Sequence, residues 1–297
     1  MTKEVVSGVT ADAMAGVAAV GMEATGLATC SKTPAHLQYL LHLADNALVL
    51  GQRNAEWCGH GPVLEEDIAM ANISVDLIGQ ARMLYQHAAN LQADGATEDT
   101  LAYFRDAPQF RNFTLLELPH SVAGNRDEGR ARDYAITIVR NFLYSALMVL
   151  RWDALKQSTD AQLAAIAERS LKEARYHLRH SRDWLVRLGD GTPESHARTQ
   201  AAWDHLMPYA HEFWTGFDIE NEVSAQGIGV TPASLHSDWQ ALVNNAASEA
   251  TLTTAAANAA ANAGALPQGK HGIHSGHLKP LLAELQSLAR QHPGGTW

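Results

Sequence analysis

The sequence predicts an all-α protein organised around a four-helix bundle, with additional helices toward the C terminus. Four segments of roughly 22 to 30 residues repeat apolar side chains at steps of three and four, which is the period of an α-helix. Glycine and proline fall mostly between these segments, where they separate one helix from the next. Hydrophobic residues make up 46% of the 297 residues, which is enough to build a core and excludes a disordered chain.

Net charge limits the kinds of binding partner to be expected, and cysteine content indicates the cellular compartment. The net charge of −10 at pH 7 argues against nucleic acid or an anionic membrane as the main partner. The two cysteines, Cys30 and Cys58, are too few for a disulfide framework and suit a reducing cytoplasm. The longest apolar run is interrupted by Arg140 and Asn141, well short of the ~20 residues that a membrane helix needs. We therefore expect a cytoplasmic protein without a membrane segment.

The N-terminal segment 1–33 differs in composition from the rest. It is rich in alanine, glycine, valine and threonine, and it lacks the basic start and strongly apolar centre of a secretory signal. We expect it to be a flexible extension. Thr33 is expected to cap the first helix, with Pro34 at the first helical position. No repeat or linker divides the remainder, so residues 34–297 are expected to form a single domain.

The first two long helices are predicted at residues 35–56 and 63–92. The first carries a one-sided apolar stripe, and a turn ending in Gly61 and Pro62 separates it from the second. The second is apolar around most of its circumference, so we expect it to lie at the centre of the bundle.

The third and fourth long helices are predicted at residues 130–156 and 160–188. A connection at residues 93–129 precedes the third helix and holds a short helix at 97–105, capped by Thr97. The third helix is apolar nearly all round, whereas the fourth has a clear apolar stripe.

Four long helices, two of them buried, with one long connection between the second and the third describe the ferritin-like bundle. A fifth helix at residues 194–215 and a sixth at 232–250 are expected to pack outside this bundle. A short helix at 278–291 completes the predicted fold.

Ferritin-like bundles often hold a carboxylate-bridged di-iron centre, which has a recognisable sequence pattern. One Glu comes from each of two helices, and a Glu-x-x-His pair comes from each of the other two. Among the fifteen histidines, only His120 has a Glu three residues earlier, at Glu117. Pro119 lies within this pair, in a predicted loop rather than a helix. The chain therefore lacks the two helical pairs that a di-iron centre requires.

Two helices nevertheless carry the spacing of the missing pairs with other residues in place of the ligands. The fourth helix has Ala174 and His177 three residues apart on its inward stripe, and the second has Leu77 and Gln80. We interpret all four as degenerate ligand positions, with no metal bound. His177 alone on an inward stripe is interpreted as a hydrogen-bonded core residue, because buried polar groups normally have partners.

A second histidine group lies near the C terminus. His271, His274 and His277 repeat at steps of three, a spacing that could chelate a metal. They lie in a glycine-rich stretch without a supporting carboxylate, so we expect a solvated loop that leads into the last helix.

Several segments, taken in chain order, resemble one protein family. They are residues 43–50 (LADNALVL), 56–62 (EWCGHGP), 76–82 (DLIGQAR), 100–102 (TLA), 172–179 (KEARYHLR) and 274–284 (HSGHLKPLLAE). Together they are similar to the C subunits of multicomponent phenylacetyl-CoA epoxidases. The resemblance covers residues 36–297 and leaves the N-terminal extension outside.

The resemblance implies a specific role for the chain. Complexes of this family epoxidise the aromatic ring of phenylacetyl-CoA with molecular oxygen, in bacterial phenylacetate catabolism. Their di-iron centre belongs to a ferritin-like catalytic A subunit, and a reductase with flavin and an iron–sulfur cluster supplies electrons from NADPH. The C subunit pairs with the A subunit and supports it, alongside a small accessory subunit. The resemblance thus implies a non-catalytic, structural subunit without a cofactor of its own.

Two other functions stay open at this point. The chain could be a di-iron oxygenase in its own right, with the irregular ligand set Glu56, Asp76, Glu173 and His177. It could also be an independent binding protein with a vestigial cavity in the bundle.

The sequence also indicates where a partner would bind. The second and third helices carry more apolar surface than a four-helix bundle needs. The fifth helix and the residues after it add an aromatic cluster, of a kind enriched at protein interfaces. Its members are Trp203, Phe213, Trp214 and Phe217. We expect these surfaces to contact the catalytic partner, unless the outer helices cover them.

Overall fold

A computed structural model of the chain describes residues 34–121, 132–254 and 267–295. Within these ranges the protein is all-α, with eleven α-helices and no β-strand. No helix in the same ranges combines the length and the apolar character needed to cross a bilayer. The predicted extension at 1–33 lies outside the described residues, so the division into an extension and one domain stays a prediction.

Four long helices form the bundle. They are α1 (Ala35–Ala55), α2 (Leu64–Gln92), α5 (Tyr134–Leu155) and α6 (Ala161–Gly189). Helix α1 packs against α2, α5 packs against α6, and α2 contacts α6. This arrangement confirms the predicted all-α, ferritin-like fold, and the long helices begin and end within four residues of the predicted positions.

The start of α1 differs from the prediction in its capping. Pro34 occupies the N-cap position with extended backbone angles, φ −52° and ψ 139°, instead of the first helical position. The fixed φ of proline suits either position, and a cap side chain at Thr33 lies outside the described residues.

The helices at the centre of the bundle are α1 and α5, whereas the sequence predicted the second and third helices. About three quarters of the residues of α1 and α5 are buried, but α2 buries only one face. Its outward face leaves Ile68, Val75 and Ile78 exposed, with 68% of Val75 accessible to solvent. The prediction for α2 was wrong because apolar composition does not show whether another helix covers a face.

The described part of the connection after α2 covers residues 93–121. It contains α3 (Glu98–Tyr103), a 3-10 turn and α4 (Thr114–Glu117). The predicted cap at Thr97 is confirmed, since its side chain accepts a hydrogen bond from the backbone N–H of Thr100. Besides the predicted short helix, this part contains α4, which was not predicted, and Phe110 and Phe113 within it are fully buried.

One fully buried carboxylate anchors this connection to α1. Asp45 binds the guanidinium of Arg105 through both oxygens. It also accepts hydrogen bonds from the Tyr85 hydroxyl, at 2.5 Å, and from the backbone N–H of Arg111, at 2.7 Å. A buried charge with several donors is tolerated, whereas an unpaired one would be costly.

The C-terminal helices cover the other side of the bundle. They are α7 (Pro193–Ala210), α8 (Asp218–Ala225), α9 (Pro232–Glu249), α10 (Leu278–Leu285) and α11 (Ser287–Gln291). Helices α7 and α9 pack on α5, and α8 packs on α1. The helix predicted at 194–215 ends at Ala210 with a 3-10 turn, and α8 was not predicted. The helix predicted at 278–291 is interrupted at Gln286, whose side-chain amide donates to two carbonyls of the connection.

The aromatic cluster after the fifth helix lies inside the protein. Trp203 and Phe213 are fully buried, and Phe217 is 6% exposed. Phe213 contacts Trp239 of α9, with ring centroids 6.0 Å apart. The expectation that this cluster forms a partner interface was therefore wrong: the aromatic side chains attach the outer helices to the bundle. Among the described residues, five of the exposed large apolar side chains lie on α2.

Candidate functional site

The four degenerate ligand positions lie where α2 and α6 face each other at mid-bundle. Leu77, Gln80, Ala174 and His177 are all buried, each no more than 4% exposed. Residues three apart share a helical face, so each pair points inward as the predicted helix phase requires.

Two cross-helix hydrogen bonds occupy this region. His177 Nε2 lies 3.0 Å from Oδ2 of Asp76, and Gln80 donates to Oε2 of Glu173 at 2.9 Å. Each inward polar residue is thus paired with a carboxylate at the edge of the opposite helix. His177 has the hydrogen-bonded role that the sequence indicated, and the two bonds link α2 to α6.

Helix α1 also packs closely against α2 beside Leu77. An added Cβ on Gly51 of α1 would lie 3.3 Å from the Ser74 carbonyl oxygen and 3.4 Å from Cβ of Leu77. Elsewhere in the interior, the amides of Asn54 and Asn141 exchange two hydrogen bonds, at 2.8 and 2.9 Å, between α1 and α5. These neutral groups offer no charged ligand to a metal.

The residues at mid-bundle do not fit a di-iron centre. Such a centre needs carboxylates from four helices and two imidazoles. The degenerate positions supply one imidazole, one amide and two apolar side chains. The chemistry that this arrangement supports is helix-to-helix hydrogen bonding, which holds the bundle closed.

The irregular ligand set is not brought together either. Glu56 lies just beyond α1, where it binds Arg53 at 2.7 Å and His120 at 3.3 Å. Burial raises the pKa of Glu56, but the hydrogen bond with His120 and the charge of Arg53 outweigh it and lower the pKa to about 2. Among the described residues, no three of Glu56, Asp76, Glu173 and His177 converge closely enough to hold one metal ion.

The single Glu-x-x-His pair is also divided between two environments. Glu117 is fully buried and binds Nδ1 of His274 at 2.9 Å and the backbone N–H of Ser275 at 2.6 Å. His120 instead contacts the Thr137 hydroxyl at 2.6 Å and the carbonyl oxygen of Arg53 at 2.9 Å. Glu117 is therefore an anchor for the C-terminal segment.

This contact corrects the prediction for the C-terminal histidines. The His274 side chain is 6% exposed and paired with Glu117, so it is not part of a solvated loop. His271 packs on the ring of Phe217, and His277 lines a cleft of about 900 Å³. The three rings have different surroundings and do not form a chelate. The sequence contains no signal for the Glu117 contact, because 157 residues separate it from His274.

Among the described residues, the structure brings together one group of candidate metal ligands that the sequence did not indicate. His36, His87 and Asp160 converge at one end of the bundle. His36 and His87 lie 124 and 73 residues from Asp160, so no spacing pattern could reveal the group.

Comparison of the chain with known proteins shows the family to which it belongs. Residues 12–297 match the family described as phenylacetic acid catabolic protein. The chain belongs to this family. The match begins at residue 12 and so extends further toward the N terminus than the resemblance, which began at residue 36.

A relative with a more specific name supports the same assignment. The chain is 44% identical, over 259 residues, to the C subunit of 1,2-phenylacetyl-CoA epoxidase from Escherichia coli (strain K12). The alignment covers 87% of this chain and 98% of that relative. The resemblance stated from the sequence segments is thereby confirmed.

Proposed function

We propose that the chain is a structural, non-catalytic subunit of a multicomponent monooxygenase that epoxidises the aromatic ring of phenylacetyl-CoA. The proposal takes the reaction from the named relative, which aligns over nearly its whole length. The partners are a catalytic ferritin-like A subunit, a small accessory subunit and a reductase.

The observation that carries the non-catalytic role is the composition of the mid-bundle positions. Leu77, Gln80, Ala174 and His177 stand where a catalytic bundle needs two Glu-x-x-His pairs. In our proposal this chain binds no redox cofactor, the di-iron centre belongs to the A subunit, and NADPH, flavin and the iron–sulfur cluster belong to the reductase. We assign the complex to the cytoplasm, which the two cysteines, too few for a disulfide framework, support.

The outward face of α2 supports the proposed pairing. Leu64, Ile68, Val75 and Ile78 follow one another at steps of four, seven and three, so they form a stripe along one side of the helix. They are 70%, 52%, 68% and 40% exposed, respectively. Exposed apolar side chains grouped on one side of a helix are a feature of protein interaction sites. We assign the α2 stripe, defined by these four residues, to the contact with the A subunit.

The competing function is a di-iron oxygenase with the ligand set Glu56, Asp76, Glu173 and His177. The binding of Glu56 to Arg53 and His120 disfavours it, because that carboxylate already has two partners beyond the end of α1. An independent binding protein would need a vacated cavity at mid-bundle, where hydrogen bonds and close packing lie instead.

Expression of this chain with and without the A subunit tests the proposal. We expect the two chains to elute together in size-exclusion chromatography, and neither chain alone to support full epoxidation of phenylacetyl-CoA when the reductase and accessory subunit are present. A monomer that never associates, while the A subunit reaches its full rate without it, would contradict the structural role. Epoxidation by this chain alone would instead favour the oxygenase.

A further inference from the structure

A cluster of two histidines and one aspartate lies at the end of the bundle where α1 begins and α2 ends. His36 is in the first turn of α1, His87 is in the last turns of α2, and Asp160 caps α6. His87 is seven residues beyond Gln80, about 10 Å along the helix, so the cluster is separate from the mid-bundle positions.

The ligand atoms of the three side chains converge on a single carboxylate oxygen. Oδ2 of Asp160 lies 2.7 Å from Nε2 of His36 and 2.5 Å from Nε2 of His87. All three ligand atoms lie within 4.8 Å of one another. Two imidazoles and one carboxylate are a ligand set that zinc and related transition metals accept, with water in the remaining position.

The carboxylate is held in place by its other oxygen. Oδ1 of Asp160 accepts hydrogen bonds from the backbone N–H groups of Gln162, at 2.9 Å, and Leu163, at 3.1 Å. The helix cap therefore directs Oδ2 toward the two imidazoles. Outer hydrogen bonds of this kind orient the ligands of known metal sites.

Burial and access also suit a bound ion. The side chains of His87 and Asp160 are 11% and 10% exposed, whereas His36 is 21% exposed and leaves an approach from solvent. Metal bonds of about 2.0 to 2.2 Å in a tetrahedral site separate neighbouring ligand atoms by about 3.3 Å. The observed separations would need to widen by about 0.6 to 0.8 Å to admit an ion.

We propose that His36, His87 and Asp160 bind one divalent transition-metal ion, of the Zn²⁺ class, that joins α1, α2 and α6 at this end of the bundle. The bound ion connects three helices that are otherwise linked there by hydrogen bonds. This inference uses the residues of this chain alone and does not depend on the epoxidase assignment.

The test measures Zn²⁺ binding to the full chain after treatment with a chelator. Isothermal titration should show one tight site per chain, and Zn²⁺ should raise the midpoint of thermal unfolding. Excess Mg²⁺ should produce neither effect, because Mg²⁺ prefers oxygen ligands. His87→Ala should abolish both effects.

A matched control comes from the opposite end of α6. His180 pairs with Glu66 at 2.8 Å and is as buried as His87, but its cluster has no second histidine. His180→Ala should keep the tight Zn²⁺ site. His36→Gln is a second variant at a more exposed position, and it should weaken Zn²⁺ binding at least tenfold even if His87→Ala does not fold.

Three results would overturn the proposal. They are the absence of a tight site in the unmodified chain, a site that His36→Gln and His87→Ala leave unchanged, and an equal loss of binding in His180→Ala. In each of these cases the three side chains form only a hydrogen-bonded cluster.

Discussion

His177 of α6 reaches across to Asp76 of α2, and its Nε2 lies 3.0 Å from the carboxylate oxygen Oδ2. Asp76 precedes Leu77, one of the degenerate ligand positions, and its side chain is 35% exposed. The imidazole is therefore turned toward the edge of the bundle, and the interior beside it is left to Leu77 and Ala174. A metal-binding histidine would have to give up this partner.

The first prediction concerns the iron content of the chain when it is expressed without its partners. The chain expressed alone in iron-supplemented medium should bind no iron at mid-bundle, because no paired carboxylates surround His177. Elemental analysis of the purified protein measures this directly. About two iron atoms per chain would contradict the non-catalytic role and favour the irregular ligand set.

A charged substitution at Leu77 tests which face of α2 points into the bundle. Leu77 is 2% exposed and close to Gly51 of α1, so Leu77→Glu would bury a carboxylate without a partner. We expect the free energy of unfolding to fall by about 3 to 5 kcal/mol, the usual cost of an uncompensated buried charge. Urea denaturation measures the change.

Val75→Glu is the matched control, because Val75 is 68% exposed on the same helix. Its free energy of unfolding should stay within about 0.5 kcal/mol of the unmodified chain, as is usual at surface positions. Equal effects of the two substitutions would show that the inward face of α2 is assigned wrongly.

Charged substitutions in the α2 stripe should weaken the association of the chain with the A subunit. Ile68→Glu combined with Val75→Glu should weaken association with the A subunit at least tenfold, because desolvating two carboxylates opposes burial of the stripe. Size-exclusion chromatography of the co-expressed chains measures the association. Leu242→Glu, at a 38% exposed apolar position on α9, is the control and should elute with the A subunit as before. If the doubly substituted variant still associates with the A subunit, the interface lies on another surface of the chain.

Acid should destabilise the fold through His120. Burial lowers the pKa of His120 from 6.5 to about 4, although Glu56 beside it acts in the opposite direction. Between these two pH values the unfolded chain binds a proton that the folded chain does not, so stability falls as the pH falls from 6.5 to 4. The contribution is at most about 3 kcal/mol, given 1.36 kcal/mol per pKa unit.

Urea unfolding at a series of pH values measures this dependence. His120→Gln should make the loss of stability between pH 6.5 and 4 less steep, whereas His60→Gln, at an exposed histidine, should leave the slope unchanged. An unchanged slope in His120→Gln would mean that other buried groups, such as His42, cause the acid sensitivity.

Glu117 should control attachment of the C-terminal segment. Glu117→Gln keeps the shape of the side chain but places an amide N–H opposite a donor, either the side-chain amide of Asn112 or the backbone N–H of Ser275. We expect a loss of about 1 to 3 kcal/mol in unfolding free energy, the cost of an unsatisfied buried group. Limited proteolysis should cut the segment 267–295 faster than in the unmodified chain. Glu284→Gln, at an exposed position on α10, should not change the cleavage rate.

Helix positions were predictable because they depend on neighbouring residues. The apolar repeat of three and four and the glycines and prolines between segments locate the long helices to within a few residues, and the cap at Thr97 locates the start of the short helix α3. The inward phase of Leu77 and His177 was predictable for the same reason, since residues on one helical face follow from the period alone.

Contacts between distant segments were not predictable in this way. Trp203 and Phe213 form an apolar cluster in the sequence, but only the packing of α7 and α9 on α5 decides that the cluster is internal. The apolar residues of α2 give an equally strong sequence signal, yet no helix among the described residues covers Val75.

The sequence by itself determined the all-α class, the four long helices, the family and the lack of two Glu-x-x-His pairs. The tertiary structure alone decided which helices are central, that Glu117 binds His274, and that His36, His87 and Asp160 meet at one end of the bundle. The physical reason is the range of the interactions. Helix formation depends on residues within about four positions of each other, whereas burial and side-chain pairing depend on how whole helices pack.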